Sequence, residues 1–190
     1  MTRQAAIFLD RDGVLIHDVR HLSKLEDIQI YTDVPKGLGQ LHSTGFKLIM
    51  VTNQSGVARG YFPETFIRQS FEHINQSLSS HGVTLDHMYY CPHHPSGQKP
   101  YNIRCDCRKP GPGMIKQACE DYEIDLPGSF MLGDKICDIE LAINSNITGL
   151  LLQTGQGESE SMNVASKYPA TPVLRTFTQA VNFILEKSNL

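Results

Sequence analysis

The chain has 190 residues, a length that suits one compact domain. Its 17 Lys and Arg nearly balance 20 Asp and Glu, leaving a net charge of −3 and no basis for broad electrostatic binding of nucleic acid or an anionic membrane. Hydrophobic residues make up 40 %, enough for a buried core, while the longest apolar runs, such as Leu48–Val51, fall far short of the roughly 18 residues of a membrane span.

The opening MTRQAAIFLDRDG lacks the long apolar stretch of a signal peptide, so a cytoplasmic protein is expected. Ala5–Leu9 is a short apolar run ending in DRDG, the pattern of a buried strand entering a loop. Pro35–Ser43 has helical character and stops at Gly45; Phe46–Val51 then reads as a second buried strand ending in TNQSG. Pro63 opens a longer helix, with Ile67, Phe71, Ile74 and Leu78 on one face, closing near Gly82. His87–Cys91 is a third strand, followed by an irregular Pro/Gly-rich segment up to Pro112, which starts a helix presenting Ile115, Cys119 and Tyr122. Ser129–Leu132 is a strand ending in GDK, and Ile136–Asn144 a helix. Ile147–Leu152, Ser159–Lys167, Val173–Leu174 and Phe177–Lys187 continue as strand, helix, strand and helix.

This alternation predicts an α/β domain spanning 1–190: a three-layer, Rossmann-like parallel sheet with helices on both faces. In such sheets ligands bind at the carboxyl ends of the strands, so DRDG, TNQSG and GDK should meet in one crevice.

Asp10 and Asp12, two apart after a strand, can point together into a loop that Gly13 lets turn tightly. Like charges this close call for a cation or for a proton on one of them, and Asp134 at another strand end supplies a third acidic group. Asp10, Asp12 and Asp134 therefore describe a Mg²⁺ site open to substrate phosphate. Thr52 and Asn53 end the second strand, and Lys109 precedes a helix start; a hydroxyl, a lysine and a helix N-terminus suit the oxygens of a transferring phosphoryl group.

Five cysteines, an odd number without a secretion signal, argue against a disulfide framework. Cys119 and Cys137 read as small buried residues in helices. Cys91, Cys105 and Cys107 cluster with two histidines, and three thiols plus one imidazole suit structural Zn²⁺; spacing alone leaves His93 and His94 as alternatives.

In these motifs the chain resembles the haloacid dehalogenase (HAD) superfamily of phosphohydrolases: IFLDRDG, VTNQ, Lys109-Pro110, and Gly133-Asp134-Lys135 with Asp138. The resemblance implies Asp10 as nucleophile, Asp12 as general acid and base, and Thr52 and Lys109 as holders of the phosphoryl oxygens. It implies Mg²⁺ on Asp10, Asp134 and the backbone carbonyl of Asp12, with Asp138 orienting the site. CPHHP, CDCRKPGPGM and TNQSGVARG further resemble the zinc-loop subgroup that acts on D-glycero-D-manno-heptose 1,7-bisphosphate in lipopolysaccharide-core biosynthesis. That likeness implies Zn²⁺ on Cys91, His93, Cys105 and Cys107, and removal of the C7 phosphate from a small phosphorylated sugar. It fades after about Gly155.

The stretches from Asp12 to Thr52 and from Thr52 to Lys109 leave no room for a lid domain, so the enzyme should be capless; a monomer is the separate expectation for its assembly. Substrate contacts are then expected from Asp18, Arg20 and His21 in the Ile16–Ser23 loop. Asn53, Gln54 and Ser55 after the second strand, with Arg108 and Lys135, complete the set. Three other readings compete: a histidinol-phosphate phosphatase, a receiver-like domain phosphorylated on Asp, and a zinc-dependent interaction module.

Overall fold

The computed structural model describes residues 3–19 and 22–188; Arg20 and His21 lie outside the described residues. The elements run β1 (Ala6–Leu9), α1 (Val34–Ser43), β2 (Lys47–Asn53), α2 (Ser55–Ala58), α3 (Thr65–Ser79), β3 (His87–Cys91) and α4 (Gly113–Asp121). They continue β4 (Phe130–Gly133), α5 (Ile136–Asn144), β5 (Thr148–Leu152), α6 (Gly157–Lys167), β6 (Val173–Leu174) and α7 (Phe177–Lys187).

The six strands form one sheet in the order β3-β2-β1-β4-β5-β6, parallel throughout. Buried strands need apolar residues on both faces, and β1 divides its side chains accordingly. Ile7 and Leu9 join a core with Leu38 of α1, Ile67 and Ile74 of α3, and Val181 and Ile184 of α7. Ala6 and Phe8 face the opposite layer, with Met114 and Ile115 of α4 and Leu141 and Ala142 of α5. Ile139, Leu151 and Val164 of α6 extend that second layer. The three-layer architecture expected from the alternation is the one observed.

The chain order reverses between β1 and β4, the topological switch point where ligands bind in doubly wound sheets. Asp10 follows β1 there, its N–H donating to the Leu132 carbonyl of β4 at 3.0 Å, and Asp134 follows β4. Among the described residues the segments at 54–64 and 92–112 hold only α2 and irregular chain.

Three local features differ from the sequence reading. A single helical turn, α2, follows the second strand inside the TNQSG run, where Gly56 and the short apolar Val57-Ala58 pair give no periodicity to read. The longer helix begins at Thr65 rather than Pro63, because Phe66 N–H bonds the Pro63 carbonyl in a tighter opening turn. Cys119 and Cys137 are half-buried rather than buried; the Cys137 thiol, beside Asp138, is pushed up to about 12, chiefly by burial.

Candidate active site

Three carboxylates converge at the switch point. Asp10 is 4 % exposed and Asp134 and Asp138 are fully buried, each offering an oxygen within 4.8 Å of the others. Lys109, itself 3 % exposed, places Nζ 2.9 Å from Asp10 Oδ1 and 2.6 Å from Asp138 Oδ1, and donates to the Val51 carbonyl at 3.0 Å. Lys135 Nζ donates to Asp134 Oδ1 at 3.0 Å. Asp138 also accepts the Lys135 N–H through Oδ2 at 3.1 Å, so both its oxygens are engaged by the two lysine residues.

Three carboxylates against two ammonium groups leave one negative charge uncompensated in a buried place. Burial alone would raise the Asp10 carboxyl, but Lys109 and Lys135 outweigh it and hold the group below its usual range. Burial and the Asp10 charge push Asp134 up to about 7, and burial raises Asp138 as well. Lys109 is held charged, because Asp10 and Asp138 outweigh its desolvation. The excess charge and the hard oxygen donors fit a divalent cation such as Mg²⁺.

Above this cluster opens a cavity of about 240 Å³ lined by Arg11, Asp12, Asp18, Gln54, Ser55 and Lys135, among others. Asp12 faces it, with its carboxylate gripped by the Arg11 guanidinium at 2.9 and 3.0 Å and by Gln54 Nε2 at 3.1 Å. The same Gln54 amide donates to Thr52 Oγ1 at 2.8 Å, joining Asp12 to Thr52. Gly13 must be glycine here: its φ is +81°, and a Cβ would collide with the Asp134 carboxylate.

A second cluster lies beyond β3. Cys91, His93, Cys105 and Cys107 offer donor atoms all within 4.8 Å. The closest pairs are Cys105–Cys107 at 3.2 Å, His93 Nδ1–Cys107 at 3.4 Å and Cys91–Cys105 at 3.5 Å. A tetrahedral zinc with ordinary bond lengths sets its ligand edges at about 3.5–3.8 Å, close to these separations. Crowding and burial raise the Cys105 and Cys107 thiols, so a cation is needed to hold them as thiolates. His94 points elsewhere, to Arg59 at 3.4 Å, so of the two histidines that spacing allows it is His93 that lies among the cysteines.

The loop bearing these ligands is fastened at several points. The Glu64 carboxylate accepts the hydroxyls of Tyr101, from the loop, and Tyr90, from β3, at 2.6 and 2.8 Å. Gln98 N–H bonds the Ala58 carbonyl, tying the loop to α2. At its end, Asn53 and Lys109 are joined through a paired side chain–backbone contact.

Asp10, Asp12, Thr52, Lys109, Asp134, Gln54, Ser55, Asp18 and Lys135 are thus brought to one crevice. Asn53 reaches the cavity, but both polar atoms of its amide serve the Lys109 backbone. Arg108 does not line the cavity; its guanidinium donates to the His93 carbonyl at 3.3 Å, inside the cysteine loop. Sequence reasoning missed two participants. Arg11, 2 % exposed, reaches Ser70 of α3 as well as Asp12, and Gln156 donates its N–H to Asp134 Oδ2 at 2.9 Å. The run TGQG, a polar glycine-rich stretch at the end of β5, was the available signal for the latter.

The HAD-hydrolase-like family model matches residues 106–180. A D-glycero-beta-D-manno-heptose-1,7-bisphosphate 7-phosphatase of Haemophilus ducreyi is 46 % identical over 153 residues, covering 80 % of this chain and 84 % of that protein. The chain belongs to this family of HAD phosphatases. Its Escherichia coli member is 41 % identical, with 80 % of each chain covered. A crystal structure of the D,D-heptose 1,7-bisphosphate phosphatase from B. bronchiseptica, complexed with magnesium and phosphate, superposes with a TM-score of 0.86. It is 27 % identical, over 96 % of this chain and 99 % of that one. Like its relatives this chain is a phosphatase.

Proposed function

We propose that the chain is a Mg²⁺-dependent phosphomonoesterase that removes the C7 phosphate of D-glycero-D-manno-heptose 1,7-bisphosphate. The observation that carries this reading is the buried Asp10–Lys109 pair beneath a polar cavity faced by Asp12. The Asp10 carboxylate, kept ionised by Lys109, attacks phosphorus; an Asp10–phosphorus bond forms as the bond to the C7 oxygen breaks. Asp12 gives its proton to the departing sugar oxygen, then takes one from the water that releases inorganic phosphate. Thr52 and Lys109 hold the equatorial phosphoryl oxygens, and Gln54 keeps Thr52 and Asp12 in register.

Mg²⁺, held by Asp10, Asp134 and the backbone carbonyl of Asp12, supplies charge that screens the carboxylate from the phosphate. Asp138 fits an orienting role, since its oxygens are engaged by Lys109 and Lys135. Zn²⁺ on Cys91, His93, Cys105 and Cys107 is structural in this reading, fixing the loop that delivers Lys109. Asp18, Arg20, His21, Ser55, Arg108 and Lys135 are the proposed contacts to the rest of the sugar bisphosphate.

A cytoplasmic monomer completes the proposal; among the described residues no helix is long and apolar enough to cross a membrane. The names of the relatives favour the heptose substrate over histidinol phosphate. The test is turnover of the α and β anomers of heptose 1,7-bisphosphate beside histidinol phosphate. The heptose ester should have the higher kcat/KM; preference for histidinol phosphate would overturn the substrate.

A further inference from the structure

Gln156 stands where two halves of the crevice meet. The turn that carries it packs directly on the first motif: Thr154 Oγ1 donates to the Gly13 carbonyl at 2.5 Å. Gly155 has a φ of +55°, and a Cβ there would collide with the Asp134 carboxylate and the Gly13 backbone. This close approach delivers the Gln156 N–H to Asp134 Oδ2 at 2.9 Å. Its side-chain Nε2 reaches the other way, to Asp18 Oδ2 at 3.1 Å, along the wall of the catalytic cavity. The backbone bond survives any side-chain replacement at Gln156 except proline, whereas the bond to Asp18 does not.

We propose that Gln156 is a specificity-determining residue of the phosphatase: its amide fixes the Asp18 carboxylate so that this group can accept hydroxyl protons from a polyhydroxylated leaving group. A donor on one carboxylate oxygen narrows the rotamers that the group samples before substrate arrives. An ester whose leaving group has no sugar hydroxyls gains nothing from that arrangement. The inference rests on the proposed function in one respect, that the leaving group is a sugar.

The test is a double-mutant cycle with Gln156→Ala and Asp18→Ala, measured on heptose 1,7-bisphosphate and on p-nitrophenyl phosphate. Gln156→Ala should raise KM and lower kcat/KM for the sugar roughly tenfold, the effect of losing one hydrogen bond to a charged group. The loss in kcat/KM should be several-fold smaller for the aryl ester than for the sugar, and the variant should add nothing in the Asp18→Ala background. Equal losses on both esters, full additivity, or an unchanged KM for the sugar would overturn the proposal. A wild type inactive on the heptose ends the substrate reading alone, because the cycle is then read on fructose 1,6-bisphosphate, mannose 6-phosphate or glycerol 3-phosphate, whichever turns over fastest. Absence of turnover on every hydroxylated ester overturns both.

Discussion

The Asn53 side-chain amide pairs with the backbone of Lys109 at both ends, Oδ1 accepting its N–H at 3.0 Å and Nδ2 donating to its carbonyl at 3.1 Å. The end of β2 thereby holds the residue that neutralises Asp10, although the two lie far apart in sequence. Lys109 reaches its position through the cysteine loop on one side and this clamp on the other.

Asn53→Ala should therefore act through Lys109. Displacing a phosphate-binding group by about 1 Å can cost on the order of a hundredfold in rate, so kcat/KM should fall by about tenfold to a hundredfold. Steady-state kinetics with a matched unfolding curve check this. A variant within twofold of wild type would mean that the loop alone places Lys109.

Arg11 connects Asp12 to Ser70, a buried polar residue on the inner face of α3. Replacing it by Met leaves Asp12 without its cationic partner and strips the Ser70 hydroxyl of an acceptor role. A loss of about 2–4 kcal/mol is expected, read from urea unfolding. Asp12→Asn in the same background should recover part of it.

How much of this was legible in the sequence depends on where the partners lie. Asp10, Thr52 and Asp134 each lie at the end of an apolar run, so their convergence follows from strands that share a direction, whereas Lys109 arrives from the irregular loop before α4. The cysteine cluster was legible too, because its spacing brackets a loop with little apolar material of its own. The Asn53 clamp was not: residue type suggested substrate contact, and nothing local shows that its amide also pairs with the Lys109 backbone. For Gln156 the TGQG run marks a polar loop at a strand end, but not that its glutamine joins partners from the β1 and β4 neighbourhoods.

The carboxylate cluster gives a pH dependence of known sign. Asp134 is raised to about 7 from 3.8, so between these values the folded, metal-free protein holds a proton that the unfolded chain has released. Its stability must fall as pH rises through that window, and the raised Asp138 acts in the same sense. Asp10, held low, contributes in the opposite sense only in more acidic solution. Chelator-treated protein should lose Tm between about pH 4 and pH 7, and added Mg²⁺ should restore more at the higher pH. An equal Mg²⁺ shift at both pH values would contradict this.

The cysteine loop predicts a metal content. Natively purified protein should carry one zinc per chain by elemental analysis, and Cys105→Ser should lower both zinc occupancy and kcat/KM, since the loop ends at Lys109. Full activity in a zinc-free variant would separate the cluster from catalysis.

The most direct test of the nucleophile is turnover of heptose 1,7-bisphosphate by Asp10→Asn, measured beside its unfolding curve. The Asp10 mechanism predicts a folded protein with turnover lowered by about a thousandfold or more. Near-normal turnover by that variant would contradict it.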